Sequence, residues 1–278
     1  MFGPLLIAAL LGGAAEISLA ARVEAQRDIE RARYAFVIGS SKPFDELYDR
    51  SLFEARVARQ AAEEEVLQRA FGMAVTPALL AEEFDRVEKT TRAPEQWEAI
   101  KKALGNDRRR IEEAFCRPSL VERALRARFA FDQKVHAEPH QKARQARAAF
   151  IAKQAVPGAR VHLLCRKAEA SPSVDQMMEK AQAEAAGPRI LPPAKEPDPK
   201  APLPLLPEIA AVLEKELKRP GDVTTILEES DQFRVFRLIE ASDETWKVDA
   251  VRFPKLDFDT WFSETLSGLS GREEARRR

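Results

Sequence analysis

Two histidines lie four residues apart in the middle of the chain, at His136 and His140. On a helix this spacing places both imidazoles on one face, which is the arrangement of a two-ligand metal site. Glu138-Pro139 lies between them and is expected to end or kink that helix. Because no third ligand is in view, we interpret both as exposed histidines at a helix end and expect neither a metal nor another cofactor.

The other residues with reactive side chains form no recognised catalytic pattern. Cys116 lies in a predicted helix and Cys165 in a predicted strand, and their spacing is not that of metal ligands. We interpret each as a small buried apolar residue, although a disulfide would be permitted in an oxidising compartment. The sequence contains no glycine-rich phosphate loop, no serine nucleophile elbow and no supported pair of catalytic carboxylates.

The composition argues against a dedicated nucleic-acid binder. The 278 residues include 45 Lys and Arg and 45 Asp and Glu, so the net charge is zero. Residues 101–150 hold 13 basic against 6 acidic residues, but Arg108-Arg109-Arg110 lacks the interleaved aromatics that stack bases. We interpret these basic residues as solvated helix faces and predict no nucleic-acid partner. The length allows two modest domains or one large one.

Residues 1–21 are the candidate targeting segment. Residues 5–15 are apolar and too few to span a membrane, and Ser18-Leu19-Ala20 has the small-x-small pattern that signal peptidase accepts. The segment lacks an early Lys or Arg, so a buried N-terminal helix is the alternative. We predict a signal peptide that ends near Ala21, and hence a periplasmic or otherwise exported protein that works near a membrane.

The stretch 52–150 has an almost uninterrupted helical pattern, divided by stop and start signals. Gly72 ends one helix, and Thr76-Pro77 begins the next with a capping side chain and a proline suited to the first turn. Residues 104–107 stop and restart the pattern, and Pro118 breaks or kinks the last run. No heptad persists, which predicts a bundle rather than a coiled coil. We place this core at residues 34–155, beginning with a short strand at 34–39. The charged, helix-friendly segment at 22–33 before it is interpreted as a mature N-terminus or a linker.

Apolar residues at helical spacing predict the core of this bundle. They are Phe53, Val57, Leu67 and Phe71, then Leu79, Leu80, Phe84 and Val87, then Trp97, Ile100 and Leu104, and finally Leu120, Ala124, Ala127 and Phe131. Glu63-Glu64-Glu65 falls mostly outside this face. Some of the aromatic residues could instead line a crevice for unfolded chains, and the candidates are Phe53, Phe84, Trp97 and Phe131.

A different pattern begins after Pro157-Gly158. It predicts a strand at 160–165, a helix capped at Ser173, and a connector at 187–207 whose eight prolines exclude a helix or a central strand. An amphipathic helix at 206–217, strands at 223–227, 233–239 and 246–253, and a closing helix at 256–269 with a charged tail to 278 complete the chain. The predicted fold class is therefore mainly α with a smaller α+β part.

A series of motifs in the helical part is similar to one known family. In chain order these are Val75-Thr76-Pro77, Phe84-Asp85-Arg86, Ala103-Leu104-Gly105-Asn106-Asp107, Cys116-Arg117-Pro118-Ser119-Leu120-Val121-Glu122 and Phe129-Ala130-Phe131-Asp132. Together they resemble the N-terminal helical domain of SurA-type cell-envelope chaperones, over residues 52–140. The resemblance implies a helical core that binds unfolded secreted or outer-envelope polypeptides.

Residues 156–255 resemble a parvulin-type prolyl isomerase domain. Val161-His162-Leu163-Leu164 is similar to its opening strand, and the segment 217–223 is similar to the turn before its last strands. The resemblance implies a catalytic role for His162 and a peptide-binding role for Phe233. However, Arg234 stands where the family has a second histidine, and the proline-rich connector replaces the middle of the domain. These departures imply weak or no isomerase activity.

The sequence therefore predicts a holdase, a chaperone that binds exposed apolar segments of unfolded chains and opposes their aggregation without using nucleotide. Two alternatives stay open, an active peptidyl-prolyl cis-trans isomerase and a non-catalytic scaffold or assembly protein. An isomerase would accelerate proline-limited refolding at catalytic amounts, whereas a scaffold would bind one folded partner and ignore unfolded chains.

Overall fold

The computed structural model describes residues 17–37, 42–166, 203 and 205–277. The chain forms two compact units: a helical unit, residues 1–128 with 258–278, and a sheet unit, residues 129–257. Together they are mainly helical with one four-stranded antiparallel sheet, which confirms the coarse fold class. The targeting run at 5–15, the helix capped at Ser173 and most of the connector 187–207 lie outside the described residues.

The helical unit follows the stop and start signals in the sequence. Its helices are α1 (Leu19–Tyr34), α2 (Phe44–Leu47), α3 (Arg50–Phe71), α4 (Pro77–Thr90), α5 (Pro94–Ala103), α6 (Arg108–Ile111), a π-helical turn (Glu112–Cys116), α7 (Arg117–Ala130), and α10 (Phe258–Arg277) from the end of the chain. Gly72 ends α3 with φ of 67°, a conformation that costs glycine nothing. Thr76 caps α4 by accepting a hydrogen bond from the N–H of Leu79 at 3.3 Å.

The helix-friendly character of residues 22–33 is confirmed, because they lie within helix α1, but they pack into the core and are not a linker. The strand predicted from residue 34 was wrong, because the chain turns after Tyr34. The predicted start of the core at residue 34 is therefore too late. Ala25 and Ile29 of α1 are buried in one cluster with Trp97, Ile100 and Leu104. Helix α1 has few apolar side chains, and charged residues surround them in the sequence. Its buried face was therefore not recognised from the sequence.

The buried face of α7 also differs from the prediction. Val121 and Leu125 are buried, one residue later than the predicted Leu120 and Ala124, although Leu120 is buried as well. Ala127 and Phe131 face solvent. The π-helical turn before α7 contains an extra residue, which shifts the frame relative to a continuous α-helix.

The closing helix α10 completes the helical unit and is longer than the predicted 256–269. The carboxylate of Asp259 pairs with Arg59 of α3 at 2.8 Å. The ring of Trp261 lies 5.7 Å from that of Phe71 at the end of α3. The unit is thus built from two distant parts of the chain.

The sheet unit contains α8 (Ala137–Ile151), β1 (Arg160–Cys165), α9 (Pro207–Glu216), β2 (Leu227–Glu228), β3 (Gln232–Ala241) and β4 (Thr245–Pro254). The sheet order is β1-β4-β3-β2, and all pairs are antiparallel. The predicted strands 233–239 and 246–253 are confirmed, whereas 223–227 is reduced to β2 and an isolated bridge at Val223.

Helix α8 belongs to the sheet unit, so the predicted boundary between residues 155 and 156 lies too late in the chain. Ala143, Ala146 and Phe150 of α8 cluster with Val235 and Val251 of the central strands. Pro139, which was expected to end or kink a helix, instead lies in the first turn of α8, where its missing N–H has no helical partner to lose.

Candidate functional site

The two faces of the sheet are covered differently. Side chains alternate along β3 and β4, so one face carries Val235 and Val251 against α8 while the other carries Phe236, Leu238 and Val248. Helix α9 covers part of this second face, where Leu213 packs with Leu238 and Val248. The remainder of the second face borders an open groove.

This sheet groove has a volume of about 520 Å³, which is in the range of small-ligand pockets. Its lining combines an apolar floor from Leu164, Phe236 and Ala250 with polar and charged side chains, which are Arg160, His162, Gln232, Arg234 and Arg252. A groove of this composition can take an apolar side chain on its floor while polar groups contact a peptide backbone.

A short piece of chain just before α9 forms one wall of the sheet groove. Leu203 pairs with the edge of β1: its N–H donates to the carbonyl of Leu163 at 2.8 Å, and its carbonyl accepts from the N–H of Cys165 at 3.0 Å. The side chain of Leu203 lines the groove and is 49% exposed, whereas Leu205 beside it is buried. The wall therefore offers apolar surface to a bound molecule.

Arg234 lines the sheet groove and forms an ion pair with Glu229. Its guanidinium donates two hydrogen bonds to the carboxylate of Glu229, one of them at 2.7 Å, and lies over the ring of Phe236 at 5.6 Å. Both side chains of this pair are less than a quarter exposed. Because arginine stays protonated in proteins, it cannot transfer a proton as a histidine could.

His162 and Arg234 share the groove but do not meet. The strand register aligns His162 with Val248 and Leu238, whereas Arg234 aligns with Arg252. The two positions are two strands apart across the sheet and four residues apart along it, which is roughly 15 Å at ordinary strand spacings. Within the described residues, no hydrogen bond joins the His162 imidazole to another side chain. Two such groups cannot act on one amide bond.

The five aromatic residues predicted to contact peptides are placed differently from one another. Phe53, Trp97 and Phe233 are buried, so their rings serve the core. Phe84 is partly buried against the Trp97 cluster, and Phe131 is 56% exposed. Of the set, Phe84 and Phe131 thus present ring surface to solvent, and neither lines the sheet groove.

A buried lysine, Lys255, contacts both Phe131 and Phe233, and it was not predicted from the sequence. The side chain of Lys255 is 1% exposed, and its ammonium lies 4.8 Å from the centroid of Phe131 and 4.7 Å from that of Phe233. It also donates to the carbonyl of Ala130 and to Glu228 at 2.9 Å. The two rings are therefore engaged by a cation of the same chain.

The interpretation of His136 as an exposed helix-end residue was wrong, because its side chain is fully buried. Its Nε2 lies 2.8 Å from the carbonyl of Phe129, and its Nδ1 accepts from the N–H of Leu256. These contacts fix a neutral imidazole. Burial lowers the pKa of His136, and the hydrogen bond to Phe129 offsets this only in part. His136 is a structural residue of the sheet unit.

Buried charges in the helical unit were also missed by sequence reasoning. Glu83 of α4 has a side chain 1% exposed and receives bidentate hydrogen bonds from Arg86 and Arg123. Burial alone would raise the pKa of Glu83, but these hydrogen bonds outweigh it and lower the pKa to about 2. Burial also raises the pKa of the nearby Cys116 thiol to about 12, so this cysteine is an unreactive core residue. Within the described residues, Cys116 and Cys165 form no disulfide.

A second buried cluster joins α1, α3 and the π-helical turn. Arg117 donates to Glu113 at 2.8 Å and to Glu64 at 2.5 Å, and Arg22 of α1 approaches both carboxylates. Glu64 and its neighbour Glu63 therefore face inward, in contrast to the prediction that they lie mostly outside the packed face. Arg117 and Glu64 are 53 residues apart in sequence, so no local pattern connects them.

The part of the chain that the structure describes has no group of three or more His, Cys, Asp or Glu placed to hold a metal ion. It also has no helix that combines the length and the apolar character needed to cross a bilayer. No family model, curated protein or solved structure matches the chain.

Proposed function

We propose that this protein is a SurA-like folding factor that binds unfolded polypeptides and keeps them from aggregating, without consuming nucleotide. The observation that carries the proposal is the sheet groove, which combines an apolar floor, the exposed wall residue Leu203 and polar side chains at its mouth. Unfolded clients share exposed apolar side chains rather than a sequence, so a groove of this composition suits many of them.

The binding mechanism needs only contacts that the groove offers. An apolar client side chain would displace water from the floor formed by Leu164, Phe236 and Ala250. The guanidinium groups of Arg160 and Arg252 would donate hydrogen bonds to client carbonyl groups. A volume of 520 Å³ takes only a short segment, so each encounter buries little surface and is reversible. Reversible binding is what a holdase requires.

Prolyl isomerase activity is the second candidate, because His162 lines the same groove. Isomerisation needs a dry pocket that grips the proline ring and relieves amide resonance against a barrier of about 18–20 kcal/mol. His162 has no second histidine near it, and Arg234 is committed to Glu229. We therefore propose that isomerase activity is weak or absent.

An exported location fits this function and rests on the targeting segment at residues 1–21. Cleavage near Ala21 would remove Ser18, whose hydroxyl caps α1 by accepting from the N–H of Ala21 at 3.2 Å. Sequencing the N-terminus of protein recovered from the cell envelope tests this location. A mature chain that begins near Ala21 supports export, and an intact chain confined to the cytoplasm contradicts it.

The function is tested by light scattering of two unrelated aggregating clients at near-stoichiometric ratios. We expect the protein to slow both, and Leu203→Asp to weaken the effect because it places a charge on the groove wall. Leu206→Asp is the matched control, since Leu206 is similarly exposed at 54% but does not line the groove. Failure of the unaltered protein to slow either client contradicts the proposal.

A further inference from the structure

A second cleft lies within the helical unit and has a volume of about 430 Å³. It is bordered by α1, α3, the π-helical turn and α7. Four arginines line it, Arg33 from α1, Arg56 and Arg59 from α3, and Arg126 from α7, against two glutamates, Glu63 and Glu122. Glu30 pairs with Arg33 and Arg56, and Asp259 pairs with Arg59, so the cleft is dense in guanidinium groups but has little net charge.

Aromatic rings hold three of these arginines in place. The guanidinium of Arg126 lies 4.4 Å from the ring centroid of Phe258, and that of Arg59 lies 5.3 Å from that of Phe262. Both phenylalanines belong to the closing helix α10. Arg33 lies over Phe115 of the π-helical turn at 5.6 Å. Stacking restricts long side chains before any ligand arrives, so less conformational entropy is lost on binding.

Some N–H groups of the cleft arginines are available to donate hydrogen bonds to a ligand. Arg33 and Arg56 each use one nitrogen to bond the same oxygen of Glu30, at 2.8 and 2.6 Å. Arg126 uses its Nε to bond Glu122 at 3.2 Å. A guanidinium has five N–H groups in a planar fork that matches a carboxylate. Within the described residues, the other nitrogens of Arg56 and Arg126 form no hydrogen bond.

The π-helical turn is an independent sign of function at this cleft. Such turns are rare and occur frequently at functional sites. Here the turn brings Phe115 to the cleft wall, while Ser119 donates its hydroxyl hydrogen to the Phe115 carbonyl at 3.0 Å. Arg117 anchors the turn from the other side through its buried pairs with Glu113 and Glu64.

We propose that this arginine cleft binds acidic segments of client polypeptides, whose carboxylates would bridge the free donors of Arg56 and Arg126. This inference rests on the proposed function, because it takes the ligand to be an unfolded polypeptide, and it adds a preference for clients with acidic segments. The two glutamates that line the cleft disfavour a densely charged phosphate backbone more than a peptide carboxylate. The ring of Phe115 is covered by Arg33 and so is not available to stack on a nucleic-acid base.

The test uses the full chain and a fluorescein-labelled ten-residue peptide of alternating Glu and Ser, with a matched peptide of Gln and Ser. In low salt we expect the Glu peptide to bind at least about tenfold more tightly than the Gln peptide. We expect Arg56→Gln with Arg126→Gln to lower its affinity by about tenfold or more, since each loses a charge-assisted donor. Arg69→Gln, also on α3 but outside the cleft, should bind normally.

Other outcomes overturn the inference. Equal binding of the two peptides, or full affinity in the double variant, excludes a carboxylate site in this cleft. Tighter binding of a single-stranded ten-nucleotide DNA, lost in the same double variant, would make the cleft a phosphate site instead. Both replaced arginines are about half exposed, so the variants are expected to fold, and circular dichroism checks this.

Aggregation measured in parallel separates the two proposals. If the protein slows aggregation of a client that lacks acidic runs but ignores the Glu peptide, only the arginine-cleft inference fails. If the protein slows aggregation of no client, the proposed function fails whatever the peptide does.

Discussion

The guanidinium of Arg234 forms a two-point hydrogen bond with the carboxylate of Glu229 while it lies over the ring of Phe236. The guanidinium stays protonated, and the carboxylate of Glu229 neutralises its charge. The groove therefore has the composition of a binding surface, with an apolar floor and fixed polar groups, and its described residues do not place two proton-transferring groups around one amide.

Replacement of Arg234 by histidine restores the residue type expected from the parvulin resemblance but should not create an isomerase. His162 lies roughly 15 Å away at ordinary strand spacings. We expect no acceleration of a proline-limited refolding step at catalytic amounts. Because Glu229 loses its partner, urea unfolding should show a loss of about 1–3 kcal/mol. Glu229→Gln is the control that removes the same pair without adding an imidazole, and catalytic acceleration by Arg234→His alone would contradict this account.

Glu83 should make the helical unit sensitive to acid. Its folded pKa of about 2 lies below the ordinary value of 4.5, so its stabilising effect is complete above pH 4.5 and is lost as the pH falls through 2. The difference corresponds to about 3 kcal/mol at neutral pH. We expect Glu83→Gln to be destabilised at pH 7 and to show a flatter dependence between pH 5 and 2. Urea unfolding across this range measures it, with the exposed neighbour Glu82→Gln as control; parallel curves would show that Glu83 is not the responsible group.

His136 should make the sheet unit sensitive at a higher pH. Burial lowers the pKa of His136 from its ordinary value of 6.5, so the unfolded chain takes up a proton more readily than the folded one. Its stabilising contribution is present above pH 6.5 and is lost as the pH falls towards the lower folded pKa. Amide exchange of β3 and β4 in the full chain should therefore speed up on acidification below pH 6.5, beyond the intrinsic exchange chemistry.

His136→Phe should lose this dependence, and it should also lower stability at pH 7 because the Phe129 carbonyl and the Leu256 N–H lose their partner. His140→Gln should retain the dependence. If His136→Phe and the unaltered chain respond alike to pH, the buried imidazole is not the sensor.

Arg117 should be among the least replaceable charged residues of the helical unit. Its side chain is 4% exposed and pairs with Glu64 and Glu113, so Arg117→Met leaves two carboxylates without their main cation in a buried site. We expect a loss of about 3–5 kcal/mol in urea unfolding. Arg69→Met, which breaks a half-exposed pair with Glu65, should change stability by about 1 kcal/mol or less. Similar losses in the two variants would argue against the buried network.

Local signals in the sequence predicted much of the fold. Gly72 and Thr76-Pro77 mark helix ends through their own backbone preferences, and the alternation at 233–239 and 246–253 indicates strands with two covered faces. These features depend on neighbouring residues. A single sequence therefore contains the information needed to place them.

The charged interior could not be predicted in the same way. Glu83 and Arg123 are 40 residues apart, and Arg117 and Glu64 are 53 apart, so no spacing rule connects them. Each of these residues taken alone belongs to a type that is rarely buried. The buried face of helix α1 was missed for a related reason, because Arg22 and Gln26 occupy it beside Ala25 and Ile29.

The candidate site was predicted only in part. His162 was identified and does line the sheet groove, but Leu203 lies in a proline-rich stretch that gave no sign of pairing with β1. Its two hydrogen bonds to Leu163 and Cys165 are long-range contacts that only the folded chain shows. The wall of the groove therefore could not be predicted from the sequence.

Site-specific photo-crosslinking tests the central claim most directly, because it reports where an unfolded client touches the protein. A photoreactive phenylalanine analogue is placed at residue 203 or at residue 206, and each variant is irradiated with an unfolded client. The account predicts crosslinks from residue 203, on the groove wall, and few or none from residue 206, which has similar exposure but lies outside the groove. Equal crosslinking at the two positions, or none at residue 203, would contradict it.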